Sequence, residues 1–167
     1  MEEAAVTTSG VRANLVQDFY RGAVVLVTGG TGFVGKALVE KLLRSCPDIG
    51  TVYLLVRARK WQDVASRHRQ LLGNPVFERL RSECGERVLT KTRPTAADVA
   101  EPGLGLSPED RQRLVAEVNV VFHSAATVRF DEPLRPAVAL NVMGTRSIVA
   151  LAKELTKLKV KAHFYVP

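Results

Sequence analysis

Residues 24–35 read VVLVTGGTGFVG, and the glycines at 29, 32 and 35 have types and spacing suited to phosphate chemistry. An apolar, β-rich run precedes them and helical spacing follows. In such a turn Gly29 permits the tight exit from the strand, Gly32 lets a pyrophosphate approach the backbone, and Gly35 lets the helix pack against the sheet. The helix N-terminus supplies free N–H groups and a partial positive charge. The GxxGxxG spacing is one residue wider at its first gap than the usual dinucleotide pattern. A Walker-type loop is excluded because no Gly-Lys-Ser/Thr follows, and the bland alternative is a glycine-rich turn without a ligand.

The end of the next strand discriminates between dinucleotides. An NAD site places a carboxylate about twenty residues beyond the glycines, where it accepts from the ribose 2′-hydroxyl. Here Arg57 occupies that place, with Arg59 and Lys60 behind it. Cations in place of the carboxylate suit a 2′-phosphate and hence NADPH. The alternative for RARK is a solvated basic turn.

The elements around these residues alternate. Ala23 to Thr28 predicts a strand buried on both faces, Phe33 to Leu43 a helix, and Thr51 to Arg57 a second strand that closes a βαβ unit. Trp61–Leu72 and Pro75–Arg81 have helical spacing. Between Arg87 and Asp98 the polar VLTKTRPTAADV, interrupted by Pro94, predicts an edge or broken strand. Ser107 with Pro108, Glu109 and Asp110 predicts a helix start, and the helix runs to about Val118. Asn119–His123 is a strand, Pro133–Leu155 a helix, and Val160–Val166 a last strand. Five strands alternating with helices predict an α/β fold, a Rossmann-like doubly wound parallel sheet. Residues 1–20 are expected to form an N-terminal arm, and residues 21–167 the N-terminal portion of an NAD(P)-binding domain.

The chain has 167 residues, 46% of them apolar, enough for one core. Its net charge of +7 suits an anionic partner. Aromatic residues, at 6%, are scattered rather than interleaved with basic ones, which argues against nucleic-acid binding. Cys46 and Cys84 lack metal-ligand or disulfide spacing, so both are expected as thiols in a reducing, intracellular compartment. No metal is expected. No apolar run has the length of a membrane span or the form of a secretory signal.

Taken together, TGGTGFVG, YLLVR, DVAEPGLGLS, NVVFHSAATVRFDEPL and NVMGTRSIVALAKEL resemble the amino-terminal portion of the alcohol-forming fatty acyl-CoA reductases, extended short-chain dehydrogenases/reductases. The likeness runs from about Tyr20 to Leu158. It implies NADPH-dependent reduction of a long-chain acyl-CoA through an aldehyde to a fatty alcohol. It also implies that Thr31, Gly32, Phe33 and Val34 bind the pyrophosphate, Arg57 the adenosine 2′-phosphate, and Asp98 with Val99 the adenine. Ala125, Ala126 and Thr127 line the cofactor, the alternative being simple packing. Asn141 either supports the active site or ties a helix turn to a strand. His123, on a buried strand, is expected as a core histidine rather than a base. Arg129 and Arg135 are candidates for coenzyme A phosphates, though exposed arginines are common.

The resemblance also implies a Tyr-x-x-x-Lys pair as proton donor, and the 167 residues contain none. This chain is therefore expected to supply the cofactor-binding part and to be inactive alone, without the catalytic helix and acyl-binding region. The longer enzymes so implied associate with peroxisomal or endoplasmic reticulum membranes. Two alternatives are a non-catalytic dinucleotide-binding module and a thioester reductase of the carboxylic acid reductase type. EPGLGLS and VRFDEPL favour the fatty acyl-CoA class over the latter.

Overall fold

A computed structural model describes residues 15–129 and 131–159. The first element, α1 (Leu15–Tyr20), closes the predicted arm, and residues 1–14 lie outside the described part. Gln17 Nε2 donates to Ser45 O at 2.9 Å, and Tyr20 packs on the core. There follow β1 (Val24–Thr28), α2 (Phe33–Ser45), β2 (Thr51–Val56), α3 (Val64–Leu72), α4 (Glu78–Cys84), β3 (Thr92–Ala96), α5 (Pro108–Glu117) and β4 (Val120–His123). The last stretch is α6 (Leu134–Ala137), a π-helical segment Val138–Met143, and α7 (Gly144–Glu154).

The strands form one parallel sheet in the order β3-β2-β1-β4. This makes four strands among the described residues. The fifth predicted strand, Val160–Val166, lies outside them. β1 and β2 are buried almost throughout because each face is covered. Val25, Val27, Val52 and Leu54 face one core with Leu42 and Leu43 of α2. Leu26, Tyr53 and Leu55 face the other with Leu114 of α5 and Ile148 and Leu151 of α7.

Local chemistry sets the element ends. Asp63 caps α3 by accepting from Ser66 N at 2.6 Å, which holds its carboxyl below the usual carboxylate range. Ser107 caps α5 by accepting from Asp110 N at 3.1 Å, with Pro108 in the first turn. β3 carries Pro94 and pairs with β2 on one side. An outer strand tolerates a residue that cannot donate, as its sequence predicts. The helix expected over Pro133–Leu155 is present but widens over Val138–Met143, a π-helical insertion that the 3.6-residue period does not reveal.

Candidate functional site

β1 lies between β2 and β4, where the strand order reverses, so the crevice beyond its C-terminal end is where an open α/β sheet takes a ligand. Gly29 leaves β1 at φ +69°, and a Cβ there would sit 2.6 Å from Ser124 C and O. Gly29 thus serves both its turn and the close passage of the chain beyond β4. A Cβ on Gly35 would strike Gly29 O and lie 2.7 Å from Gly30 Cα. The missing side chain of Gly35 thus lets the first turn of α2 close onto the chain that leaves β1. Gly30, not singled out from sequence, is buried with Leu54 Cδ2 3.2 Å from its hypothetical Cβ.

Gly32 is exposed and serves as the N-cap of α2. No side chain caps the helix and its first turn has no acid, so its free N–H groups and dipole meet the crevice uncompensated. Phe33, 89% exposed, and Val34 turn toward solvent there. An uncapped 13-residue helix behind a glycine turn fits an anionic pyrophosphate.

On the β2 side, Arg57 is exposed and its Nη1 lies 3.6 Å from Asp98 Oδ2. The carboxylate missing from the end of β2 is thus supplied from beyond β3. Asp98 Oδ1 also accepts from Ala100 N at 3.0 Å, so the acid closes its own loop while facing Arg57. Val99 is buried because α7 presses on it: a Cβ on Gly144 would strike its side chain and lie 3.1 Å from its carbonyl.

Sequence reasoning missed Arg67. It lies on α3, largely buried, with Nη1 donating to the Arg57 carbonyl and Nη2 to Thr31 Oγ1 at 3.3 Å. Burial first, and then the nearby Arg59 and Arg57, push its pKa below the ordinary arginine value. With Lys36, Arg59 and Asn74 it lines a cleft of about 190 Å³ beside the turn. Its position ten residues beyond Arg57 becomes informative only once α3 folds back across the end of β2.

On the β4 side, Ala125 is half-buried and Ala126 exposed. Asn141 Oδ1 accepts from Thr127 N at 2.9 Å and its Nδ2 donates to Thr127 O at 3.0 Å. The side chain thus ties the helix to the segment after β4. The Thr127 hydroxyl meets Glu132 Oε2 at 3.2 Å. His123 Nδ1 is 2.6 Å from Thr28 Oγ1, and its Nε2 3.1 Å from Thr145 Oγ1. Arg129 is paired locally with Asp131 at 3.0 Å. No helix among the described residues is long and apolar enough to cross a membrane. Cys46 is buried, Cys84 exposed, and both are free.

The fold and site define a doubly wound nucleotide-binding domain of the extended reductase type. The chain belongs to the NAD-binding family described as Male sterility protein, whose model matches residues 27–165. It is 43% identical over 148 residues to human fatty acyl-CoA reductase 1 and, equally, to fatty acyl-CoA reductase wat of Drosophila melanogaster, covering 89% of this chain and 28% of each relative. The chain thus spans less than a third of the relatives it matches. Among solved structures it is similar to the terminal R domain of the myxalamid PKS-NRPS pathway (TM-score 0.65, 34% identity, 81% of this chain and 32% of that one). A reductase domain of a nonribosomal peptide synthetase from Mycobacterium tuberculosis is also similar (TM-score 0.62, 33% identity, 84% and 32%).

Proposed function

We propose that this chain is the NADPH-binding part of a reductase acting on long-chain fatty acyl-CoA. The observation that carries the cofactor choice is the pair of guanidinium groups beside the uncapped helix start: Arg57 leaving β2, and Arg67 braced on the Arg57 carbonyl and Thr31. Asp98 offsets part of the charge of Arg57, but an exposed ion pair is weak and yields readily to a phosphate. Lys36 and Arg59 line the same cleft, so the local field favours a dianion over a ribose hydroxyl.

In this reading Gly29, Thr31, Gly32, Phe33, Val34 and Gly35 receive the pyrophosphate through backbone N–H groups and close approach. Arg57 and Arg67 hold the 2′-phosphate, and Asp98 with Val99 borders the adenine. Ala125, Ala126 and Thr127, held by Asn141, wall the nicotinamide side. These residues would hold NADPH, whose chemistry when bound would be donation of a hydride for reduction of the thioester carbonyl. The substrate class rests on the 43% identity to fatty acyl-CoA reductases, against 33–34% to the peptide-synthetase reductase domains.

Titration of NADPH and NADH against the wild-type chain and Arg57→Ala tests the cofactor assignment. NADPH is expected to bind at least about tenfold more tightly to wild type, since a charge-assisted hydrogen bond is worth about 1.5–3 kcal/mol, and Arg57→Ala erases most of that difference. Equal affinities in wild type would overturn it. With no Tyr-x-x-x-Lys in the 167 residues, the chain alone is expected to bind NADPH without oxidising it in the presence of a long-chain acyl-CoA.

A further inference from the structure

Thr28 and His123 are register partners on β1 and β4, so their side chains stand on the same face of the sheet. Thr28 Oγ1 is 2.6 Å from His123 Nδ1, and across the ring Nε2 is 3.1 Å from Thr145 Oγ1 in the first turn of α7. The direction of the bonds follows from proton counting. Thr145 has one hydroxyl proton and donates it to the Asn141 carbonyl at 2.7 Å, so it accepts from Nε2–H. A neutral ring protonated at Nε2 leaves Nδ1 to accept from the Thr28 hydroxyl, whose oxygen also accepts from Ala125 N at 3.2 Å.

The chain of bonds therefore runs one way, from Thr28 through His123 and Thr145 to Asn141. It begins at the residue before Gly29 and ends on the residue whose amide holds Thr127. Ser124 Oγ donates to Thr28 O at 2.7 Å, which joins strand to strand. The His123 ring adds the helix, at the point where the π-helical segment gives way to α7.

We propose that His123 is a positioning residue for the nicotinamide half of the site: its imidazole, clamped between Thr28 and Thr145, sets the separation between the glycine turn and the Ala125–Thr127 wall. It acts through these neighbours and touches no cofactor atom in this assignment. The proposal rests on the dinucleotide reading above and divides that site into an adenine half independent of His123 and a nicotinamide half that depends on it.

The test measures two ligands, NADPH and adenosine 2′,5′-bisphosphate, which carries only the adenine half. His123→Phe, which keeps volume and removes both bonds, is expected to weaken NADPH about tenfold while leaving adenosine 2′,5′-bisphosphate within about twofold. Thr145→Val should do the same, and the double variant should lose little more than either single one, because both break the same chain. His123→Gln, whose amide nitrogen can still donate to Thr145, should recover part of the NADPH loss. Equal losses on both ligands, or additive losses in the double variant, would overturn the proposal. Imidazole ¹⁵N shifts of the wild type give a check that needs no variant to fold: a neutral ring protonated at Nε2 is expected, and the Nδ1–H tautomer would refute the bond direction. If wild type binds neither ligand, the dinucleotide reading fails and this proposal with it; if it binds both and His123→Phe changes neither, only this proposal fails.

Discussion

The two rims of the crevice are built from opposite materials. On the β2 side the groups are cations: Arg59, Arg67 and Lys36 line a small cleft, and Arg57, whose carbonyl Arg67 holds, has Asp98 as partial counter-charge. On the β4 side the lining residues are small and uncharged, Ala125, Ala126 and Thr127, tied by uncharged bonds from Asn141, with the Thr127 hydroxyl on Glu132, and backed by His123 and Thr28. A charged rim discriminates through long-range attraction, which tolerates some looseness. A neutral rim contributes through placement, which does not. In the proposed reading, selection and positioning are carried by separate parts of the C-terminal end of the sheet, joined at the glycine turn.

That joint is where the largest effect is expected. Gly29→Ala forces a side chain into a left-handed conformation, costing about 1–2 kcal/mol, and drives its Cβ into Ser124 and Ala125. Overpacking adds about 1–3 kcal/mol. Urea unfolding should show a combined loss of about 3 kcal/mol and cofactor binding should vanish. A variant as stable as wild type would mean that the rims are not coupled through this residue.

The cationic rim should be chemically specific. Arg67→Lys keeps a charge but loses the planar fork that reaches both the Arg57 carbonyl and Thr31. NADPH affinity should fall about tenfold, or about 1.4 kcal/mol, with NADH affinity nearly unchanged. An equal fall for both cofactors would make Arg67 a brace for α3 alone. The neutral rim should respond in the converse way. Asn141→Asp removes the Nδ2 donor and sets a carboxylate oxygen against Thr127 O, costing about 1 kcal/mol of stability at this exposed site. The ratio of NADPH to NADH affinity should not change, and a changed ratio would break the division between selecting and positioning rims.

These contrasts were unequally legible in the sequence. The glycine turn could be read because a positive φ and a backbone approach each exclude side chains, a local requirement that leaves a local mark. Pro94 likewise announced an outer strand. Arg67 could not be read, because its value comes from α3 folding back over the end of β2, and nothing within ten residues of Arg57 distinguishes it from Arg69 on the same helix. Asp98 was placed near the adenine, but its pairing with Arg57 depends on the β2–β3 register. Asn141 and Thr127 meet across fourteen residues of sequence through a π-helical segment. Apolar periodicity averages over such an insertion and so conceals it.

The smallest expected effect concerns what holds the cationic rim in place. His68, next to Arg67 on α3, lies 2.8 Å through Nε2 from Thr92 Oγ1 on β3. Thr92 donates its hydroxyl proton to Leu89 O at 2.7 Å and so accepts from His68 Nε2–H. Burial lowers the His68 pKa in the fold below its ordinary value of about 6.5. The unfolded chain therefore binds the extra proton more readily, and stability rises with pH between the two values. The contribution of His68 is complete above about pH 6.5 and is lost as pH falls through its lowered pKa in the fold. His68→Gln keeps a donor toward Thr92 but cannot titrate, so the unfolding free energy of this variant should fall less steeply below about pH 6.5 than that of wild type. The affinity for adenosine 2′,5′-bisphosphate should follow the same pattern, because Arg67 rides on the helix that His68 anchors, while the contacts of Asn141 with Thr127 contain no group that titrates in this range. Parallel pH curves for wild type and variant would show that α3 is held by packing alone.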